Sequence, residues 1–434
     1  MGASANRSND KNLRWMRLDN AAKIYPASRS NTWSSIFRLS ATLVEPVDTA
    51  VLESALEATV HRFPSICARL RRGLFWYYLH QLPRAPKLSQ EGSYPLTPMF
   101  KRDTRTCAFR VIAYENRIAV EFFHSLTDGT GGIIFLKTLL AEYLQQKYGI
   151  TIQPGNGVLD RQEEPAAEEL EDSFLKYAST VTADRRESRA WKPSGTPEPD
   201  GFHNLTCVQV QTKAILAAAR EQGVSLTTYL TAVMLQALLN LQRDQVPHLS
   251  SRRPVRVQVP VNLRRLFPSN TLRNFAYFTT PGLDPRLGDY SFREICQQVH
   301  HHMGFEVTAK KMGTHITSNV SSERNMLVRA MPLFLKNIAL KLAFLSVGES
   351  KMCLCMSNLG AVSLPEEMMP YVERMDFILA PQASAPHNCG ILSFKDTLYI
   401  NIIRNIREPD LEAHFCRVLQ QQGLTVTVQS NNRL

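Results

Sequence analysis

The sequence predicts an α/β (α+β) protein of two domains, each a mixed β-sheet with flanking helices. Strand-like and helix-like segments alternate along both halves of the 434 residues, which is typical of layered α/β and α+β folds. A stretch rich in Pro, Gly and Glu at 150–200 separates the two runs. A composition of 44% hydrophobic and 21% charged residues indicates a chain with a well-buried core.

Each element of the first half has its own local signal. Asp48 suits the N-cap of a helix, and Phe63-Pro64 ends that helix because the residue before a proline avoids the α region. Gly73 turns a first hairpin, and Glu115-Asn116 turns a second. The predicted order is strand 34–44, a helix from 49 to the Phe63-Pro64 break, hairpin 68–72/74–80, hairpin 107–113/117–123 and helix 132–148.

The stretch 150–200 is interpreted as a connection that holds one helix, at 168–189. The predicted division is therefore a first half at 1–165, a connecting segment at 166–203 and a second half at 204–434. The predicted elements of the second half are strand 204–211, helices 212–222 and 226–243, strand 255–261, helices 292–307 and 325–345, strands 351–358 and 375–380, hairpin 390–394/398–403 and helix 411–422.

Charge and cysteine usage limit the possible surroundings of the chain. The formal net charge is +11, and six arginines with no acidic residue occupy 250–275. This basic stretch lacks interleaved aromatic residues, so a nucleic-acid partner is not expected. Eight scattered cysteines form no C-x-x-C pair and residues 1–14 have no apolar core, which predicts reduced thiols and a cytoplasmic location. The apolar stretch 330–347 is interrupted by lysines, so it is interpreted as a packed amphipathic helix and not a transmembrane segment.

The candidate chemistry lies at 122–132, where an apolar strand stops and a helix begins. A neutral imidazole at His124 has the right intrinsic pKa to take a proton near pH 7, although His124 could equally be a satisfied buried histidine. Asp128 could organise the loop through its charge or simply cap the following helix. The glycines after it also suggest a phosphate loop. However, the dinucleotide fingerprint requires glycine where Ile134 stands, and no Walker lysine follows.

Four segments in order resemble one superfamily. His124 to Gly129 resembles the H-x-x-x-D-G signature of the superfamily that holds chloramphenicol acetyltransferases, plant BAHD acyltransferases, condensation domains and mycobacterial polyketide-associated acyltransferases. Segments 61–70, 259–275 and 356–360 resemble its "H-P-x-L-R-x-R", "P-V-N-x-R … G-N" and "S-N-x-G" motifs. With 19–26, the greatest likeness is to bacterial proteins called alcohol acetyltransferases. Two features depart from the pattern: Phe123 replaces the first of two histidines, and the BAHD "D-F-G-W-G" segment has no counterpart.

The resemblance implies two chloramphenicol-acetyltransferase-like domains with an active-site tunnel at their interface. His124 would be the general base that moves an acyl group from acyl-CoA, as co-substrate with no bound cofactor, to an alcohol or amine. Asp128 would act structurally, paired with Arg264, with Arg273 and Arg256 as the next candidates. The expected substrate-binding residues are Gly129, Asn274, Ser357 and Asn358.

Two alternatives stay open. One is a stand-alone condensation-type enzyme whose donor sits on an acyl or peptidyl carrier protein. The other is a non-catalytic binding protein on the same fold, which intact His124 and Asp128 disfavour. A metal is not expected, since only Cys296 and His300 of the Cys296/His300–His302 group share a helical face, and a zinc site needs three or four ligands.

Overall fold

The computed structural model describes residues 14–29, 33–182, 187–345 and 349–432. The predicted absence of an N-terminal signal segment concerns residues that, apart from Arg14, lie outside these ranges. Three β-sheets and their flanking helices form the described part of the chain. The strands are β1 (Trp15–Arg17), β2 (Ile36–Leu43), β3 (Ala68–Arg72), β4 (Tyr77–Gln81), β5 (Phe109–Tyr114), β6 (Arg117–Phe123), β7 (Asn204–Gln211), β8 (Val255–Asn262), β9 (Ala276–Thr279), β10 (Gly282–Leu283), β11 (Leu354–Val362), β12 (Val372–Leu379), β13 (His387–Phe394), β14 (Thr397–Arg404) and β15 (Thr427–Ser430).

The α-helices are α1 (Ile24–Ser28), α2 (Thr49–Val60), α3 (Lys101–Thr106), α4 (Gly129–Tyr148), α5 (Ser173–Tyr177), α6 (Thr212–Glu221), α7 (Leu226–Gln245), α8 (Phe292–Glu306), α9 (Ala309–Arg324), α10 (Met326–Ala330), α11 (Leu333–Ala343) and α12 (Asp410–Gln421). None of the helices in the described ranges is by itself both long and apolar enough to cross a membrane. The pair α6 and α7 passes that test together, but it is bent by 84°, and α7 is largely buried.

The N-terminal lobe contains a four-stranded antiparallel sheet in the order β12-β2-β6-β5 and a three-stranded sheet β1-β4-β3. The helices α2 and α4 turn their apolar side chains toward the same core as the four-stranded sheet. Asp48 caps α2 as expected, since its side chain accepts hydrogen bonds from the backbone N–H groups of Ala50 and Val51. This lobe therefore encloses a core of its own.

The C-terminal lobe contains a mixed sheet in the order β10-β8-β11-β13-β14-β7-β15, with β9 paired to β8. Strand β8 alternates between buried and half-buried residues, as expected for a strand with one face on a core. Helices α7, α8 and α12 contribute to the second core on that sheet. The arrangement of mixed α/β structure in two lobes confirms the predicted fold class.

One strand crosses between the lobes. Strand β12 follows β11 in the chain, yet it pairs antiparallel with β2, with Phe377 opposite Leu39. The backbone of β12 also lies against Gly390 of β13, where a Cβ atom would be 2.3 Å from the Phe377 carbonyl oxygen. The division at 165 and 204 stays a prediction, and β12 is a part of the second half that completes the sheet of the first.

Two helix predictions need correction, and one helix was missed. In place of one helix at 168–189, the described residues contain only α5 and a single helical turn before it. The β-branched run 180–182 does not favour a helix, and 183–186 lie outside the described ranges. Pro332 divides the predicted helix 325–345 into α10 and α11, because proline lacks an N–H group and its ring clashes with the preceding turn. Helix α9 was not predicted.

Candidate active site

His124 is held at the end of a buried strand. Every residue of β6 after Arg117 is buried, so the strand is a rigid base for the side chain that follows it. The backbone N–H of His124 donates to the Ser35 carbonyl oxygen at 2.9 Å. The loop 124–128 then leads into α4. The sequence therefore places this imidazole on fixed backbone at the boundary between lobes.

Two aromatic rings surround the imidazole. Tyr25 of α1 stacks on His124 with ring centroids 4.5 Å apart, and Phe37 of β2 meets it edge-on at 5.1 Å. Burial lowers the pKa of His124 from its ordinary value, against smaller opposing effects from Asp128 and from hydrogen bonds. Burial also raises the pKa of the Tyr25 phenol. Both groups are therefore neutral near pH 7.

Hydrogen bonds determine which nitrogen of His124 carries the proton. The amide Nδ2 of Asn274 lies 3.3 Å from Oδ2 of Asp19, which fixes the other amide atom, Oδ1, as an acceptor 3.0 Å from Nδ1 of His124. Nδ1 must then donate, so Nε2 holds the lone pair. Asp19 is completely buried; it accepts from the Ala22 N–H at 2.7 Å and lies 3.7 Å from Arg273. This arrangement presents a neutral imidazole with an available base.

Asp128 joins the two lobes. Its Oδ1 accepts from the N–H groups of Thr130 and Gly131, both at 3.1 Å, which caps α4. Its Oδ2 accepts from Arg264 Nη1 at 2.8 Å and from the Phe275 N–H at 2.9 Å. The two roles considered for this residue therefore occur together, one at each carboxylate oxygen.

Arg264 is the arginine that contacts Asp128. Its guanidinium also donates to the carbonyl oxygens of Thr271, at 2.8 Å, and Arg273, at 2.6 Å. Arg273 itself lies near Asp19, and Arg256 donates to Ser188 instead. Two of the six arginines in the basic stretch are thus ion-pair partners of acidic residues near His124, Arg264 with Asp128 and Arg273 with Asp19.

Glycines allow residues 259–275 of the second half, here called the crossing segment, to approach the His124 loop. A Cβ atom at Gly131 would lie 2.1 Å from the Leu272 carbonyl oxygen, and one at Gly129 would lie 2.5 Å from Leu359 Cδ2. The Thr127 hydroxyl also donates to the Leu272 carbonyl oxygen, at 2.6 Å. Gly129 is therefore placed where α4 begins, in contact with β11.

Ser357 and Asn358 lie side by side on β11 but make different contacts. Both amide atoms of the Asn358 side chain already make hydrogen bonds within the protein. Its Nδ2 donates to Thr227 at 3.2 Å, and its Oδ1 accepts from the Gly360 N–H at 2.8 Å. Ser357 alternates with Asn358, so it shares a strand face with Cys355. Ser357 is half-buried, as Cys355 is, and it lies on the strand face opposite to that of Asn358.

Cavities of about 610, 590 and 650 Å³ occur elsewhere on the described part of the chain, and His124 lines none of them. The first is bounded by Arg17, Leu18 and Arg273, whose neighbours Asp19 and Asn274 form the hydrogen-bond chain to His124. A tunnel through His124 stays a prediction. No group of three or more His, Cys, Asp or Glu within the described ranges could hold a metal ion.

The roles of Asp19 and Tyr25 were missed at the level of sequence. Both fall in the segment 19–26 that contributed to the resemblance, but neither was given a function. The chain separation between Asp19 and Asn274 is 255 residues, so no local pattern reports it. One sequence feature could have indicated that these two residues belong to the site: an acidic and an aromatic residue occur together in the segment 19–26, which contributed to the resemblance.

No family model matches the sequence, and no curated protein matches it. Solved structures do match. Polyketide synthase associated protein 5 from Mycobacterium tuberculosis is 15% identical, with a TM-score of 0.60 over 94% of this chain and 97% of that chain. The TRI3 trichothecene 15-O-acetyltransferase from Fusarium sporotrichioides is 12% identical, with a TM-score of 0.58 over 94% of both chains.

A third match is the starter condensation domain of rhizomide synthetase RzmA, in complex with C8-CoA and Leu-SNAC. It is 13% identical, with a TM-score of 0.58 over 97% of this chain and 96% of that chain. Each likeness extends over nearly the whole of both molecules. The chain therefore has the two-lobed fold of condensation domains and chloramphenicol-acetyltransferase-like proteins.

Proposed function

We propose that the chain is an acyltransferase that moves an acyl group from an acyl-CoA thioester to an acceptor alcohol or amine, with His124 as the general base. The observation that carries the proposal is the hydrogen bond between Nδ1 of His124 and the side chain of Asn274. Because Nδ1 is tied to Asn274 at 3.0 Å, Nε2 is left to accept a proton. Burial lowers the pKa of the imidazole, so the basic form is populated at neutral pH.

The reaction needs one proton carrier. Nε2 of His124 takes the proton from the acceptor hydroxyl as its oxygen attacks the thioester carbonyl carbon. The tetrahedral oxyanion then collapses, the carbon–sulfur bond breaks, and the thiolate takes the same proton from Nε2. The products are an ester, or an amide from an amine, and the free thiol of coenzyme A, with no covalent acyl-enzyme. Asn274 acts in this scheme as a positioning residue for the imidazole, since both of its amide atoms engage protein groups.

Ser357 is the group that we assign to the oxyanion. Of the two expected substrate-binding residues on β11, Asn358 already hydrogen-bonds to Thr227 and Gly360, whereas Ser357 is half-buried on the opposite strand face and its hydroxyl can donate to an oxyanion. Asp128 and Arg264 hold the loop against the crossing segment and move no proton. Gly129 contributes by its lack of a side chain, which brings β11 close to the start of α4.

Two proteins with this fold support the choice of an acyl-CoA donor. The rhizomide starter condensation domain was solved with C8-CoA, and TRI3 is named as an O-acetyltransferase. A carrier-protein donor is the competing proposal, because condensation domains share the fold equally well. The cytoplasmic location remains a prediction that both donors would satisfy.

The test is thiol release from acetyl-CoA and C8-CoA with a panel of alcohols and amines. His124→Ala should lower turnover by about 10²- to 10⁴-fold, and Ser357→Ala by about 10²-fold. His301→Ala, an exposed histidine of α8, is the matched control and should be silent. Near-full activity of His124→Ala would refute the mechanism. Activity only with an acyl-carrier protein would refute the CoA donor and leave the role of His124 intact.

A further inference from the structure

Helices α10 and α11 expose an apolar surface that the fold does not cover. Although the stretch 330–347 was expected to pack, much of its described part, 330–345, faces solvent. The turn between β3 and β4 adds two more apolar residues. We call the following set the apolar face; its side chains are between 40% and 83% exposed: Leu74, Phe75, Met326, Leu327, Phe334, Leu335, Ile338, Leu342 and Leu345.

The exposed residues of α11 form one stripe. Phe334, Ile338 and Leu342 recur at four-residue spacing, which places them on one side of a helix. The buried residues Leu333 and Lys336 occupy the other side. Stripes of this kind normally face a core. Here the stripe lies outward, so its burial requires a binding partner.

Lys336 connects helices α10 and α11 to the turn between β3 and β4. Its Nζ donates to the carbonyl oxygens of Phe75 and Arg329, both at 3.1 Å, and lies 3.6 Å from the ring centroid of Trp76. The Leu333 N–H also donates to the Leu74 carbonyl oxygen at 3.0 Å. The helix pair and the hairpin turn are therefore one surface.

The segment that forms α10 and α11 carries charge of a single sign, although Glu323 and Asp172 line the neighbouring cavity. From 324 to 348 the sequence contains four basic residues and no acidic residue. Arg324, Arg329 and Lys341 are exposed. Apolar residues rimmed by cations are the signature of helices that lie in the interface of an anionic membrane. A symmetric contact with a second copy would instead bring these cations near each other.

We propose that the apolar face docks on the surface of a bilayer that contains anionic phospholipid. Phe334, Ile338 and Leu342 would enter the boundary between headgroups and acyl chains, while Arg329 and Lys341 would meet phosphate groups. The chain binds peripherally through α10, α11 and the β3–β4 turn.

Docking there would set the mouth of a cavity against the lipid. The cavity of about 610 Å³ is lined by Phe75, Arg324 and Arg329 at the edge of the apolar face, and by Leu18 and Arg273 deeper in. An amphiphilic alcohol dissolved in the bilayer would meet the enzyme at this mouth. This choice of acceptor rests on the proposed function, whereas the docking itself does not.

The test is co-sedimentation with phosphatidylcholine vesicles prepared with and without phosphatidylglycerol. We expect binding to the anionic vesicles that weakens at high salt. The triple variant Phe334→Ser/Ile338→Ser/Leu342→Ser should reduce the bound fraction at least about tenfold. Leu287→Ser is the matched control, since Leu287 is 81% exposed but outside the apolar face; it should bind as the parent does.

A second variant reports insertion directly. Phe334→Trp keeps an aromatic side chain at the stripe, and its fluorescence should shift to shorter wavelength when anionic vesicles are added. Absence of vesicle binding by the parent chain, or undiminished binding by the triple variant, would overturn the proposal. A dimer that sediments without lipid and is abolished by the triple variant would assign the surface to a second copy instead. All readouts are independent of acyl transfer, so they separate a failure of docking from a failure of the proposed reaction.

Discussion

Replacing Asp128 and Arg264 singly and together measures how strongly this ion pair holds the two lobes. The pair is 2.8 Å long, with side chains only 6% and 11% exposed, and breaking one side of a buried pair costs about 3–5 kcal/mol. Asp128→Asn should cost less, about 2–3 kcal/mol, because Arg264 keeps the Thr271 and Arg273 carbonyl oxygens. Arg264→Met should cost about 4–5 kcal/mol, because it also removes the donors to those carbonyls.

The assay is urea unfolding of the parent, both single variants and the double variant. The double variant should lose about 1–3 kcal/mol less than the sum of the single losses. Asp128→Asn combined with Arg256→Met is the matched control. Arg256 donates to Ser188, so those losses should add to within about 0.5 kcal/mol. Additive losses in the Arg264 cycle as well would refute the coupling of the lobes through this pair.

Two further predictions concern the imidazole and the loop glycines. Since burial lowers the pKa of His124 from 6.5, the neutral base persists below that pH, and kcat/KM should decline only under pH 6.5. Asn274→Ala removes a hydrogen bond that favours the imidazolium, so it should lower kcat and move the acid limb of the pH profile to still lower pH. An acid limb that does not move would contradict a positioning role for Asn274. Gly131→Ala, whose Cβ would lie 2.1 Å from a carbonyl oxygen, should destabilise the protein by about 1–3 kcal/mol. The control is Gly304→Ala in α8, where a Cβ would have nothing within 4 Å; it should stabilise by up to about 1 kcal/mol. Equal melting temperatures for the two variants would contradict the close approach at Gly131.

Local patterns were sufficient where the chain determines structure within a few residues. In the sequence, an alternating strand pattern at β6 changes to a helical pattern at α4, and this change alone predicted that His124 and Asp128 lie at the boundary between the two elements. Asp128 also met the expectation of a helix cap. The predicted break between helices 212–222 and 226–243 is also present, because Gly223 adopts the left-handed conformation at φ +70° that ends a helix.

Local sequence patterns could not predict the contacts between distant segments of the chain. Strand β12 was expected at nearly its observed bounds, but its pairing with β2 depends on how two lobes assemble. Helix α9 was not predicted because few of its residues are apolar. Met312, Ile316 and Val320 recur at four-residue spacing, but the residues between them are mostly polar. The outward orientation of α11 was missed for the opposite reason, since an apolar stripe by itself normally indicates a core.

The lobe crossing of β12 has a consequence for biosynthesis. Strand β2, nearly all of whose residues are buried, lies between β6 and β12. Until residue 379 of 434 has left the ribosome, one side of β2 has no partner for its backbone groups. An unpaired, apolar strand of this kind is a template for aggregation. A premature stop codon between the end of β2 and the start of β12 would therefore yield a fragment in which this side of β2 stays unpaired and prone to aggregation.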